Sequence, residues 1–418
     1  MTMPGRSPVR RDDLRAWSQL AVEATIGVTD LCEHLHHTIA RLPGVFAPGL
    51  AEPMRGVTGF VYRGIRGVTR GVGNGVDRLL SWVPGPREPW SSPARETLLA
   101  ALNGVIGDHL VATANPLAID MSLRRAGRAL ELERAALARD VAQPTGRIVV
   151  LAHGLCMSDL QWRRNGHDHG AALARDARFT PVYLHYNSGL HISSNGRAFS
   201  AQLEALLQAW PVAVEELVLV GFSMGGLVVR SACHQAPALG HEWLRHLRRI
   251  VFLGTPHAGS PLERNGNRLD AVLGATAYTS PFARIGKLRS AGITDLRHAN
   301  LVDADWQGRD RFARGTRPGA HVPLPDGVSC HAIAGSLSKK RGGLRGALVG
   351  DGLVPVASAL GRHARAERSL DLPPSRQWVG HGLGHLDLLD SPQVYARVLA
   401  CLAEPAVTAT RTRARAGR

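Results

Sequence analysis

The 418 residues are 44% hydrophobic, enough to bury one large core with an extension, and no run of 18 apolar residues is present that would span a bilayer. The net charge is +16, but only three of the 50 basic residues are lysine, aromatics are 5%, and no nucleic-acid-binding signature occurs. Nucleic acid is therefore excluded as an expected partner, whereas an anionic membrane surface is retained. The opening residues lack the apolar core of a secretory signal, and five scattered cysteines (Cys32, Cys156, Cys233, Cys330, Cys401) lack CxxC spacing. Together these predict reduced thiols and a cytoplasmic location, peripheral to the inner face of the membrane if it binds lipid.

In chain order, residues 1–13 are polar and expected to be disordered, and 14–143 read as a helical extension. Leu14, Trp17, Leu20, Val28, Leu31, Leu35 and Ile39 recur at helical spacing. Glu33, His34, His36 and His37 fall on that helix but have no second ligand cluster, so a polar face is the expectation there rather than a metal site. Residues 57–83 combine an apolar stripe with Arg63, Arg66, Arg70 and Arg78. That pattern suits docking on the main domain or lying in a membrane interface. A third helix is predicted from Pro93 to about Val111, and a fourth over 120–141.

From Arg147 the pattern changes. Apolar runs at 148–152, 182–186, 217–220, 250–253 and 331–334 alternate with helical stretches, and 377–379 reads as a last short strand. This alternation predicts a doubly wound, mostly parallel sheet over 144–403, with an insertion at about 258–327 and a basic, disordered tail at 404–418.

Between the run at 217–220 and the helix after it stands Gly221-Phe222-Ser223-Met224-Gly225. A serine on such a tight strand-to-helix turn holds its hydroxyl exposed at a helix N-terminus, so Ser223 is the candidate nucleophile. A serine nucleophile needs a base and an acid, in the chain order Ser, Asp or Glu, His. Asp351, between Gly350 and Gly352, is the candidate acid, because Asp326 precedes its strand and falls at the wrong end of the sheet. His385 is the candidate base, with His381 and then His363 as alternatives. The backbone N–H groups of Leu155, in the loop after the strand at 148–152, and of Met224 are the candidate oxyanion donors.

These segments, together with His153-Gly154, Gly254-Thr255-Pro256-His257 and His385-Leu386-Asp387, resemble α/β-hydrolase lipases, nearest to GPI inositol-deacylase-like hydrolases and bacterial lipases. The resemblance covers about 147–402. It implies an α/β-hydrolase fold, hydrolysis of carboxylic esters by a serine enzyme, and a lid or cap at 258–327 over an acyl pocket. In some bacterial lipases the aspartate two residues after the histidine binds calcium, which makes Asp387 a calcium candidate; no cofactor or catalytic metal is otherwise expected. The expected partner is a lipid or acyl-ester substrate. The alternatives are a soluble short-chain esterase or thioesterase, and an inactive membrane-binding scaffold of the same fold.

Overall fold

The computed structural model describes residues 17–20, 22, 93–259, 290–310, 319–339 and 350–404. The cluster at 33–37, the stripe at 57–83 and the expected disordered ends lie outside the described residues. Residues 17–20 are helical, as the periodicity from Leu14 predicts. Pro93–Val111 and Ala118–Arg418 fall in one compact unit, and Ala112–Leu117 are grouped with the chain before Pro93 in another.

Helix α1 (Pro93–Ala112) opens on its proline, with Glu96 in the first turn, where its charge complements the helix dipole. The expected helix over 120–141 is largely a different structure. β1 (Ser122–Arg125) and β2 (Arg128–Ala129) form a hairpin, and only α2 (Arg134–Asp140) is helical. The hairpin turns at Ala126 and Gly127, both at positive φ, and the buried Leu123 anchors it. The sheet therefore begins upstream of residue 144, within the region expected to be a helical extension.

The central strands follow from their composition. β3 (Arg147–Ala152), β4 (Thr180–His185), β5 (Glu216–Phe222), β6 (Leu247–Leu253) and β7 (Ser329–Ser336) are buried almost throughout, as strands covered on both faces must be. β8 (Gln377–His381) closes one edge and the hairpin the other. The eight strands run β2-β1-β4-β3-β5-β6-β7-β8; β1 pairs antiparallel with β2 and β4, and every other pairing is parallel.

Helices α3 (His169–Ala177), α4 (Ile192–Ala209), α5 (Met224–Gln235), the short α7 (Val356–Ala359) and α8 (Pro392–Ala403) connect or flank the strands. Val149, Val220, Val251, Ile333, Leu389 and Val398 belong to one buried core cluster, which therefore runs from the middle of the sheet into α8. Of the 258–327 insertion, α6 (Ala291–His298) is described. Its buried Asp295 accepts from His191 Nδ1 and from the Ile192 amide at the start of α4, both at 2.9 Å. That part of the insertion is thus fastened to the sheet domain.

Candidate active site

The strand order brings the C-terminal ends of β3, β5, β6 and β7 to one edge, where ligands bind in open α/β sheets. Ser223 sits there between β5 and α5 with φ 52° and ψ −123°, a conformation that a side chain rarely adopts. Its amide donates to Leu253 O at 2.8 Å, and its carbonyl accepts from Gly226 N at 3.1 Å, which fixes the turn from both sides. The glycines are required by crowding. A Cβ on Gly221 would lie 2.4 Å from Gly226 Cα, and one on Gly225 would lie 2.2 Å from Ala152 O.

Asp351 follows β7, and His385 follows β8. His385 Nδ1 lies 2.7 Å from Asp351 Oδ2, and the His385 amide donates to Asp351 O at 3.0 Å. The other carboxylate oxygen, Oδ1, accepts from the amides of Leu353 (3.0 Å) and Val354 (2.8 Å). The carboxylate is thus buried, fully occupied and aimed at the imidazole. Because a carboxylate only accepts, His385 Nδ1 carries the proton and Nε2 presents a lone pair. The Phe222 ring supports the imidazole at 4.8 Å between centroids.

Ser223 and His385 line one cavity of about 230 Å³. Its walls include Leu155, Met157, Phe222, Leu296, Leu353 and Leu389, which makes it mainly apolar. Leu155, whose amide is the expected second oxyanion donor, lines the cavity. Met224 is the first residue of α5, where the amide has no intrahelical acceptor. The loop carrying Leu155 is held by His153. That ring stacks on Tyr186 at 4.3 Å, and its Nδ1 donates to Gly154 O at 2.8 Å. Burial, then the neighbouring His185, pushes the His153 imidazole down to about 3, so it is neutral and takes a packing role.

The alternative histidines are placed elsewhere. His381 ends β8, paired with Ser336, and His363 lines a separate cavity. Asp387 Oδ2 accepts from the Gly384 amide at 2.8 Å, which closes the turn that carries His385. Among the described residues Asp387 has no group of ligand-type side chains gathered around it. The sole such group among the described residues is Glu96, Asp159 and His185, and Arg124 already bridges its two carboxylates at 2.9 and 3.3 Å. That guanidinium supplies the positive charge that a metal would bring. Sequence reading missed this buried cluster, because its members are scattered and Arg124 falls in a segment that reads as helix.

The strand order and the elbow define an α/β-hydrolase fold. Residues 143–320 match the family model of the PGAP1-like alpha/beta domain, in keeping with the resemblance drawn from the motifs. No curated protein matches the chain by sequence. Among solved structures, it is similar to the Bacillus licheniformis lipase BlEst2 in mature form, at 19% identity over 63% of this chain and 95% of that one, with a TM-score of 0.39. It is also similar to the Pyrococcus furiosus esterase Pf2001, at 12% identity over 62% and 83% of the two chains, TM-score 0.35. A monoacylglycerol lipase of Paleococcus ferrophilus aligns at 15% identity over 62% and 95%, TM-score 0.35.

Proposed function

We propose that this chain is a serine hydrolase of carboxylic esters. The observation that carries the reading is the Asp351–His385 pair at 2.7 Å, opening on the same cavity as Ser223 on its strained turn. In the first half-reaction His385 Nε2 takes the Ser223 proton as Oγ adds to the ester carbonyl carbon. The carbonyl oxygen becomes an oxyanion, stabilised by the amides of Leu155 and Met224. Collapse breaks the carbon–oxygen bond to the alcohol, which leaves with the proton returned by His385, and the acyl group stays on Ser223. Water repeats the steps with His385 again as base, releasing the acid and restoring the serine. Asp351 keeps its negative charge throughout and orients the imidazole.

The apolar walls favour an acyl chain over a polar group, and Leu386, which is 39% exposed, continues the apolar lining outward. Beside the site, Leu337 is 51% exposed. With the +16 charge, these support a lipid-like acyl ester met at an anionic membrane surface. Among the described residues the four cysteines are free and buried, which fits the cytoplasmic side. Among the described residues no helix is long and apolar enough to cross a membrane.

The test is turnover of acyl esters of increasing chain length by the wild type and by Ser223→Ala. The variant is expected to keep the fold and lose all but a small residue of activity. Undiminished turnover by a folded Ser223→Ala protein contradicts the assignment. Preference for the shortest ester would instead favour the short-chain esterase reading.

A further inference from the structure

Pro256 and His257 are consecutive residues after β6, and Leu296 and Arg297 are consecutive residues of α6. In each pair the first lines the ester cavity and the second lines another cavity, of about 240 Å³. The two cavities are therefore back to back across a wall one residue thick. Their linings differ, for the ester cavity carries Arg163 and Arg164 but is mainly apolar. The second is walled by four arginines (Arg230, Arg297, Arg365, Arg368) and four histidines, of which His257 is the most buried, and no described carboxylate lines it.

The floor of this cavity holds donors without acceptors. Arg230 is only 4% exposed, yet no carboxylate among the described residues pairs with it. One terminal nitrogen donates to Val322 O and the other lies 3.4 Å from His257 Nδ1, while Nε is buried with no acceptor. An arginine can only donate, so His257 Nδ1 accepts, and its proton is on Nε2. That Nε2–H is also buried with no acceptor. Burial lowers the Arg230 guanidinium to about 10, which leaves it charged at neutral pH. The carboxylate behind the wall, Asp305, is already taken. Its oxygens accept from the amides of Leu301 (2.8 Å), Val302 (3.1 Å) and Ala320 (2.6 Å).

A buried, unpaired guanidinium is costly, and so is a buried N–H without an acceptor. The first cost is offset by a ligand in this cavity that brings negative charge and several acceptor oxygens. Arginines converging from α5 and the 365–368 turn, where Arg368 gives one nitrogen to Gly319 O, suit a tetrahedral oxyanion, whose oxygens point in as many directions. We propose that this cavity is a binding site for a phosphate-class anion. The group is either carried by the ester held in the adjoining cavity or free in solution. The first source rests on the hydrolase reading above, and the site itself does not.

The experiment is calorimetric titration of the full chain with inorganic phosphate, with acetate as the control. It is run on the wild type, on Arg230→Gln and on the more exposed pair Arg365→Gln/Arg368→Gln. The expected results are saturable binding of phosphate but not acetate, weakened about tenfold or more by Arg230→Gln. The double variant should also weaken it, which keeps the test valid if Arg230→Gln fails to fold. Absence of saturable binding to the wild type, equal binding of acetate, or undiminished binding by the variants would each overturn the site. A second arm decides the source. If the substrate brings the anion, inorganic phosphate competes with a phosphate-bearing acyl ester and not with an uncharged one. If the anion is free, both esters respond alike. Should neither ester be hydrolysed, the hydrolase reading fails, and the titration still decides the site.

Discussion

Two buried carboxylate–histidine pairs stand at the same edge of the sheet, and they are built for different ends. Asp351 faces His385 at 2.7 Å, and its remaining oxygen is held by two neutral backbone amides. That carboxylate is thus left for the imidazole, which lines the cavity of Ser223. Asp159 faces His185 at 3.3 Å, but the same oxygen is also 3.3 Å from Arg124, which reaches Glu96 at 2.9 Å. Burial pushes the Asp159 carboxyl up, but His185 and Arg124 more than offset this and hold it below its ordinary value. His185 is buried and does not line the cavity. The same residue types make a poised base in one place and a strut in the other. What separates them is the partner that completes the carboxylate, and whether the histidine has an open side.

The largest expected effect comes from breaking the first pair. Asp351→Asn should slow ester turnover by roughly 10⁴-fold, by losing the tautomer and orientation of His385, and leave the protein folded. Asp159→Asn should do the reverse. The Arg124–Glu96 pair at 2.9 Å remains, but Arg124 loses one charged acceptor, which should cost about 1–3 kcal/mol of stability, while turnover of the folded fraction stays within about tenfold. Denaturant unfolding beside steady-state kinetics checks both. Equal loss of turnover in the two variants would erase the distinction.

A smaller effect separates the packing histidines from the poised one. His153 is held at about 3 and His169 at about 4, both by burial first, against an ordinary 6.5. Between about pH 6.5 and those values the unfolded chain binds protons that the fold does not. Stability should therefore fall as pH drops through this window, by up to about 1.4 kcal/mol per pH unit for each group. Urea midpoints at pH 7, 5.5 and 4.5 measure it, and His153→Gln should flatten the slope. A midpoint that rises on acidification would contradict these assignments.

How much of this was legible in the sequence depends on how local each feature is. The elbow is written in five adjacent residues, because the crowding that demands Gly221 and Gly225 arises from the turn itself and the strand beside it. The buried parallel strands are legible as apolar runs. The hairpin at 122–129 was not, since its strands are four and two residues long and set among Leu, Ala and Arg that also suit a helix. The basic cavity is the least legible feature. Arg230, His257, Arg297 and Arg368 are far apart in the chain, and only the packing of α6 and the 365–368 turn around the end of β6 brings them together. His385 could be preferred over His381 by its place further out, beside the closing helix, but the contact with Asp351 is a property of the fold.

The central claim is that His385, held by Asp351, activates Ser223. Its most direct measurement is the rate at which a fluorophosphonate labels the intact protein, with the modified residue located by peptide mass spectrometry. Rapid labelling at Ser223 alone, slowed by orders of magnitude in His385→Ala and unaffected in His381→Ala, is the predicted result. Labelling at another residue, or an unchanged rate in His385→Ala, would contradict it.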